Sequence, residues 1–301
     1  MVSGAPFIPE RSSGPLRRSE QHLRAGDGTR LFRRSWLPES PHRTVLLVHG
    51  YAEHSGRYEE MASWLANRGA AVHAYDHRGH GLSGGRRAHV RAFSEFLDDL
   101  DAVLAAVREE HGGLPIDLVG HSMGGLIALG FLVDRKPSLH AAVTSGAAVA
   151  VDASPGRILL ARILRGVLPT LKIGSGLDLA GLSRDPEVVQ RYVDDPLVFR
   201  DMTTSLGAEM IAAAGRVAAR ASEVEVPLLM LHGEDDPLCA AEGSRAFAAA
   251  VPTAGSDLRI YPDLRHEIFN EPEREQVYRD LWSWLDQLSA GEPRSGAEAS
   301  S

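Results

Sequence analysis

Cysteine is almost missing from this chain: of 301 residues, only Cys239 carries a thiol. That excludes an internal disulfide framework. No Cys/His spacing of the kind that holds structural zinc is visible either, so no metal or other cofactor is expected. The N-terminus lacks the apolar core of a secretory signal. No apolar run reaches the roughly 18 residues that a membrane-spanning helix needs. Positive charge is also in deficit, with 32 Lys and Arg against 40 Asp and Glu, a net charge of −8. This argues against a nucleic-acid partner and gives no general attraction to anionic membranes. Internal repeats are absent, and nothing fixes an oligomeric state. These absences lead us to expect a soluble cytoplasmic protein. Its 44% hydrophobic and 24% charged residues are ordinary for a globular chain.

The most informative run that is present spans residues 116–125, IDLVGHSMGG. A short apolar strand ends at Gly120, and a helix-forming run follows from Gly125. Between them lies Gly120-x-Ser122-x-Gly124, the pattern of a nucleophile elbow. The reason for the spacing is steric. A strand that turns sharply into a helix holds the middle residue at strained φ/ψ with its side chain exposed. Glycines two positions away remove Cβ atoms that would clash in the turn. The helix then points its N-terminal N–H groups toward the place where negative charge would develop.

Around this run the chain alternates strand and helix. Residues 19–24 and 30–37 flank Asp27-Gly28 as a hairpin. Continuous apolar runs at 44–48 and 70–75 suit strands buried on both faces. Apolar residues Phe93, Phe96, Leu97, Leu100, Leu104 and Val107 mark one face of a helix. A strand at 141–145 follows. After it the alternation breaks, and residues 151–220 read as an inserted helical cap without strands. Its segment 157–171 is rich in Leu and Ile and interrupted by Arg157, Arg162 and Arg165. That segment reads equally as cap core or as a helix at a lipid interface. The alternation resumes with strands at 227–232 and 257–261 and helices at 241–250 and 272–288. The expected organisation is a mostly parallel sheet covered by helices on both faces, an α/β fold built from residues 19–150 and 221–288. Residues 1–18 and 289–301 read as tails without structure.

A serine hydroxyl needs a base to take its proton, and the base needs an orienting acid. Where such an elbow occurs, the partners follow in the order Ser, Asp or Glu, His. Only His266 lies beyond the strand at 227–232 and its loop. Glu234, Asp235 and Asp236 all qualify as the acid. Asp236 is preferred, because the turn must leave the strand before a side chain can point back. Oxyanion donors would be the amides of Met123 and Tyr51, the latter in the loop after the strand at 44–48.

Three long motifs, His49-Gly50-x-x-Glu53-His54-Ser55-x-Arg57-Tyr58, Asp76-His77-Arg78-Gly79-His80-Gly81 and Gly120-His121-Ser122-Met123-Gly124-Gly125, together resemble the monoacylglycerol lipase family of α/β-hydrolases. The likeness continues at Tyr192-x-x-Asp195-Pro196-Leu197, Asp236-x-Leu238-Cys239 and His266, and covers residues 20–288. It implies the α/β-hydrolase fold with a cap that docks transiently on membranes, peripheral to the lipid. It also implies a serine esterase that cleaves monoacylglycerols or similar single-chain lipid esters through an acyl-enzyme, with Ser122 as nucleophile, Asp236 as acid, His266 as base, and the Tyr51 and Met123 amides as oxyanion donors. Groups matching Glu53, Arg57 and Tyr192 would line a polar end that holds glycerol. From the residues themselves, Glu53 and Arg57 read at least as well as a salt bridge stiffening the oxyanion loop. Phe269 stands where the family's animal members have a second histidine, and Tyr51 where they have a small residue. A lysophospholipase or general carboxylesterase is the alternative, and a binding protein on the same fold a more distant one.

Overall fold

The computed structural model describes residues 14–150 and 155–291. Strand β1 (Arg17–Arg24) and β2 (Arg30–Leu37) form the expected hairpin. They are followed by β3 (Arg43–Val48), α1 (Glu59–Ala66), β4 (Ala70–Tyr75), α2 (Ser94–Glu110), β5 (Ile116–His121), α3 (Met123–Arg135) and β6 (Ala141–Ser145). Between β6 and β9 stand α4 (Pro155–Val167), β7 (Lys172–Gly174), α5 (Pro186–Asp194), β8 (Asp201–Thr203) and α6 (Thr204–Ala218). The chain closes with β9 (Leu228–Gly233), α7 (Ala241–Ala250), β10 (Asp257–Tyr261) and α8 (Arg274–Gly291).

The main sheet has eight strands in the order β1-β2-β4-β3-β5-β6-β9-β10. Only β2 runs against the rest, pairing antiparallel with both β1 and β4. The other neighbours are parallel. Alternation along each central strand sends side chains to two cores. From β3, Leu46 and Val48 pack with α2, α3 and α6, while Val45 and Leu47 pack with α1 and α8. Strand β3 is followed in sequence by β4 on one side, but β5 lies on its other side. The order therefore reverses between β3 and β5, and the loops at their carboxyl ends open a crevice there, the usual ligand position in such sheets.

Three features differ from the sequence expectation. Residues 151–220 contain two strands, β7 and β8, which pair antiparallel over three residues. Three residues are too few to show a period of two, so this ribbon left no mark in the sequence. Arg17 and Arg18 belong to β1, held by pairing to Leu37 and Trp36, and α8 continues through Gly291. The expected N-terminal tail thus ends too late and the expected C-terminal tail begins too early; residues 1–13 and 292–301 lie outside the described part of the chain.

Helix α4 packs its inner side on α6. Leu159, Leu160, Ile163 and Val167, spaced for one helical face, are more than half exposed, Val167 at 71%. Nearby Leu168, Leu171 and Ile173 are also exposed. The side chain of Arg157 lies outside the described part. Among the described residues, no helix is long and apolar enough to cross a membrane.

Candidate active site

Ser122 stands between β5 and α3 with φ 54° and ψ −116°. This is a backbone conformation that a non-glycine residue holds only when its surroundings enforce it. The enforcement comes from hydrogen bonds and close packing. Ser122 donates its amide to Ser145 O at 2.9 Å, and its carbonyl accepts from Leu126 N at 3.0 Å and Ala148 N at 3.2 Å. A Cβ at Gly124 would lie 2.0 Å from Val48 O, and one at Gly120 would lie 2.4 Å from Gly124 O. The two glycines of the motif are therefore required by β3 and by the turn itself.

The loop after β9 and the loop after β10 bring Asp236 and His266 together. His266 Nδ1 donates to Asp236 Oδ2 at 2.6 Å. The other oxygen, Oδ1, accepts the amides of Leu238 at 2.8 Å and Cys239 at 3.0 Å. A fourth donor is unforeseen: His232, the fifth residue of β9, reaches Oδ2 through Nε2 at 3.0 Å. Burial alone would favour a protonated Asp236. The hydrogen bonds from His232 and His266 outweigh it and hold the carboxyl well below the usual range. For His266, burial works toward the neutral ring, but the bond and charge of Asp236 dominate and raise its pKa above the usual histidine value. Asp235 and Glu234 take other roles: Asp235 gives its amide to Leu264 O, and Glu234 pairs with Arg245 near the surface.

His266 and Ser122 line the same cavity, of about 400 Å³, together with Gly50, Tyr51, Glu53, Tyr192 and Glu267. The His266 ring packs on His121, the residue before the serine, with centroids 4.8 Å apart. No hydrogen bond joins Ser122 Oγ to His266 in this geometry; such contacts are often loose before substrate binds. The amides of Tyr51 and Met123 likewise have no acceptor among the described residues. One wall of the cavity is apolar, with Leu177, Leu182, Met202, Met210 and Leu238. The Tyr51 ring stands in the wall, edge-on to Phe199 at 5.6 Å.

Glu53 and Tyr192 line the cavity, but Arg57 does not. Its guanidinium is taken by Glu53 Oε2 at 2.7 Å and by both oxygens of Glu267 at 2.7 and 2.8 Å, and it lies over the Tyr192 ring at 4.7 Å. Glu53 Oε1 also accepts the Gly50 amide at 2.6 Å and the Tyr58 hydroxyl at 2.8 Å. The ion pair thus braces the loop that carries Tyr51. Burial raises the Glu53 pKa, and the neighbouring Glu267 adds to that against the pull of Arg57. Glu267 itself is burdened by burial but is held low by Arg57. Sequence reasoning missed Glu267; its place directly after His266 was the one available signal. Phe269 is buried against Tyr278.

The other motif is architectural. Asp76 accepts the amides of Ser55 and Leu82, both at 2.7 Å, and Arg78 grips Asp99 with two bonds of 2.6 Å. Among the described residues, one trio, His73, Glu110 and His111, brings metal-ligand atoms within 4.8 Å of one another. His111 follows α2 and precedes β5, so the trio lies toward the sheet end away from Ser122. The buried Arg33 guanidinium binds Glu110, and the two imidazoles bond to each other at 2.9 Å. That network already carries its own buried cation, which opposes a metal ion.

With this geometry in place, comparison with known proteins is decisive. The sequence profile described as serine aminopeptidase, S33, matches residues 39–273. The monoacylglycerol lipase of Mycolicibacterium smegmatis is 38% identical over 272 residues, covering 89% of this chain and 97% of that protein. The chain belongs to the monoacylglycerol lipase family of serine α/β-hydrolases. Membership makes it a carboxylic ester hydrolase. A second family member, human monoglyceride lipase, is 34% identical over 297 residues, covering 94% of this chain and 97% of that protein. Among family structures, the monoacylglycerol lipase of Paleococcus ferrophilus superposes with a TM-score of 0.78 at 32% identity, covering 86% of this chain and 99% of that chain.

Proposed function

We propose that the protein hydrolyses monoacylglycerols to fatty acid and glycerol. Ser122 Oγ attacks the ester carbonyl while His266 Nε2 accepts its proton. The oxyanion is received by the Tyr51 and Met123 amides. His266 then protonates the departing glycerol oxygen, leaving the acyl group on Ser122. Water, deprotonated by His266, attacks that acyl carbonyl and releases the fatty acid and the serine hydroxyl. Asp236 fixes the imidazole tautomer and stabilises its charged form.

The observation that carries this reading is the Asp236–His266 bond, with His266 lining the same cavity as Ser122. The apolar wall suits an acyl chain. Glu53 and Tyr192 offer polar groups to glycerol, with Arg57 acting from behind them rather than by contact. Relatives named for monoacylglycerol and monoglyceride substrates support the same assignment. Residues 151–220 serve as the cap, and the exposed apolar face of α4 is the surface through which it meets lipid, peripherally and transiently.

The test is turnover of a monoacylglycerol by the wild type and by Ser122→Ala, beside a lysophospholipid, a diacylglycerol and a short-chain ester. The reading expects the monoacylglycerol to be preferred and Ser122→Ala to be inactive. Residual activity within tenfold of wild type would falsify the nucleophile assignment. Preference for the lysophospholipid would replace the substrate and leave the chemistry.

A further inference from the structure

The mechanism above uses three side chains, yet the buried polar chain is longer. His232 is wholly buried. Its Nε2 lies 3.0 Å from Asp236 Oδ2 and 2.8 Å from Cys239 O. Both of those atoms only accept, so Nε2 must carry a hydrogen. Its Nδ1 lies 2.7 Å from Ser244 Oγ, a buried hydroxyl in the first turns of α7. In the neutral ring, Ser244 donates to Nδ1 and fixes the tautomer.

We propose that His232 is a positioning residue for the hydrolytic reaction, acting through Asp236 and itself oriented by Ser244. The order is Ser244, His232, Asp236, His266, Ser122. The inference rests on the assignment of Asp236 and His266 given above. Asp236 Oδ2 is the oxygen that His266 uses. A second N–H on the same oxygen fixes the carboxylate rotation and draws off part of its charge. Backbone amides hold only Oδ1, so without His232 nothing but His266 itself would aim Oδ2. The loop between β9 and α7 would then be free to turn the carboxylate. A buried acceptor left short of a donor is also a stronger partner for an imidazolium, so His266 would hold its proton to higher pH.

The experiment compares His232→Leu, which removes the donor at similar volume, with His232→Gln, whose amide N–H ends at a similar reach. For His232→Leu, kcat should fall by about 10–100-fold, as for other residues that orient a functional histidine, with KM near wild type. The midpoint of the acidic limb of kcat/KM should move to higher pH. His232→Gln should recover most of the kcat and return the midpoint. Ser244→Ala should show a smaller change in the same direction, and it serves alone if His232→Leu does not fold. Wild-type kcat and midpoint in the folded donor-lacking variants overturn the proposal. So does a kcat loss that His232→Gln fails to restore and that leaves the midpoint fixed, because packing alone would give that result. Ser122→Ala is measured alongside: if it is inactive while the His232 variants are normal, only the positioning role fails; if it is active, the underlying assignment fails.

Discussion

The chemistry turns on a buried histidine on which burial and a neighbouring carboxylate act in opposite directions. Burial pushes the His266 ring toward neutrality and Asp236 pulls it toward its charged form; the carboxylate prevails. The base must be neutral to accept the serine proton. Activity should therefore be lost as pH falls through a midpoint above the ordinary histidine value of about 6.5. Asp236→Asn removes the charge that raises the midpoint and permits the wrong tautomer, so kcat should drop by about 10⁴-fold, read from a full pH–rate profile of both proteins. Glu267→Gln tests the brace rather than the chemistry. It leaves Arg57 buried with one carboxylate instead of two, and urea denaturation should show a loss of about 3 kcal/mol. At this scale the sequence marked positions tied to chain order or local sterics: the strained turn at Ser122 and the pairing of Asp236 with His266. Glu267 was hidden because its partner Arg57 is remote in sequence and meets it only when the loops after β3 and β10 converge, and His232 because its contact with the nearby Asp236 forms only when the loop after β9 turns back on the strand.

Among the elements, the elbow is the most constrained. Gly124 faces the carbonyls of Val48 and His49, and a methyl group there would sit 2.0 and 2.4 Å from them. Backbone oxygens in a central strand cannot move away as a side-chain tip can. Gly124→Ala should thus fall at the severe end of overpacking, about 3 kcal/mol, and lower Tm by roughly 5 °C for a protein of this size. A differential scanning measurement on the purified variant checks it. Gly26, with open space around its Cβ position, is the control. The long elements were readable from the sequence because periodicity accumulates over six or more residues: α2 buries one stripe, and β3 to β5 are buried on both faces. The ribbon of β7 and β8 and the ends of β1 and α8 were not readable. They depend on pairing and packing partners, and their own side chains are largely polar or exposed.

For the whole molecule, the net charge of −8 and the apolar face of α4 make opposite demands at a membrane. The charge opposes an anionic surface, while Leu159, Leu160, Ile163 and Val167 favour any apolar one. Binding through the cap should therefore follow apolar insertion. Leu159→Ser with Ile163→Ser should reduce partitioning onto neutral phosphatidylcholine vesicles by at least about tenfold, given roughly 1.5–3 kcal/mol per fully buried apolar side chain. Turnover of a water-soluble short-chain ester should stay unchanged, because neither residue lines the Ser122 cavity. The sequence left two readings of this segment open, cap core or lipid interface. The inner side packs on α6 as cap core, and the exposed outer stripe is the surface whose contact with lipid the vesicle measurement tests.

The central claim is that one alcohol in the chain is made nucleophilic by its setting. Incubating the intact protein with a fluorophosphonate, then mapping the adduct by peptide mass spectrometry, tests this without assuming any substrate. The account predicts a single stoichiometric adduct on Ser122, lost in Ser122→Ala and strongly slowed in His266→Ala. A protein that stays unlabelled, or is labelled elsewhere at the same rate, would contradict it.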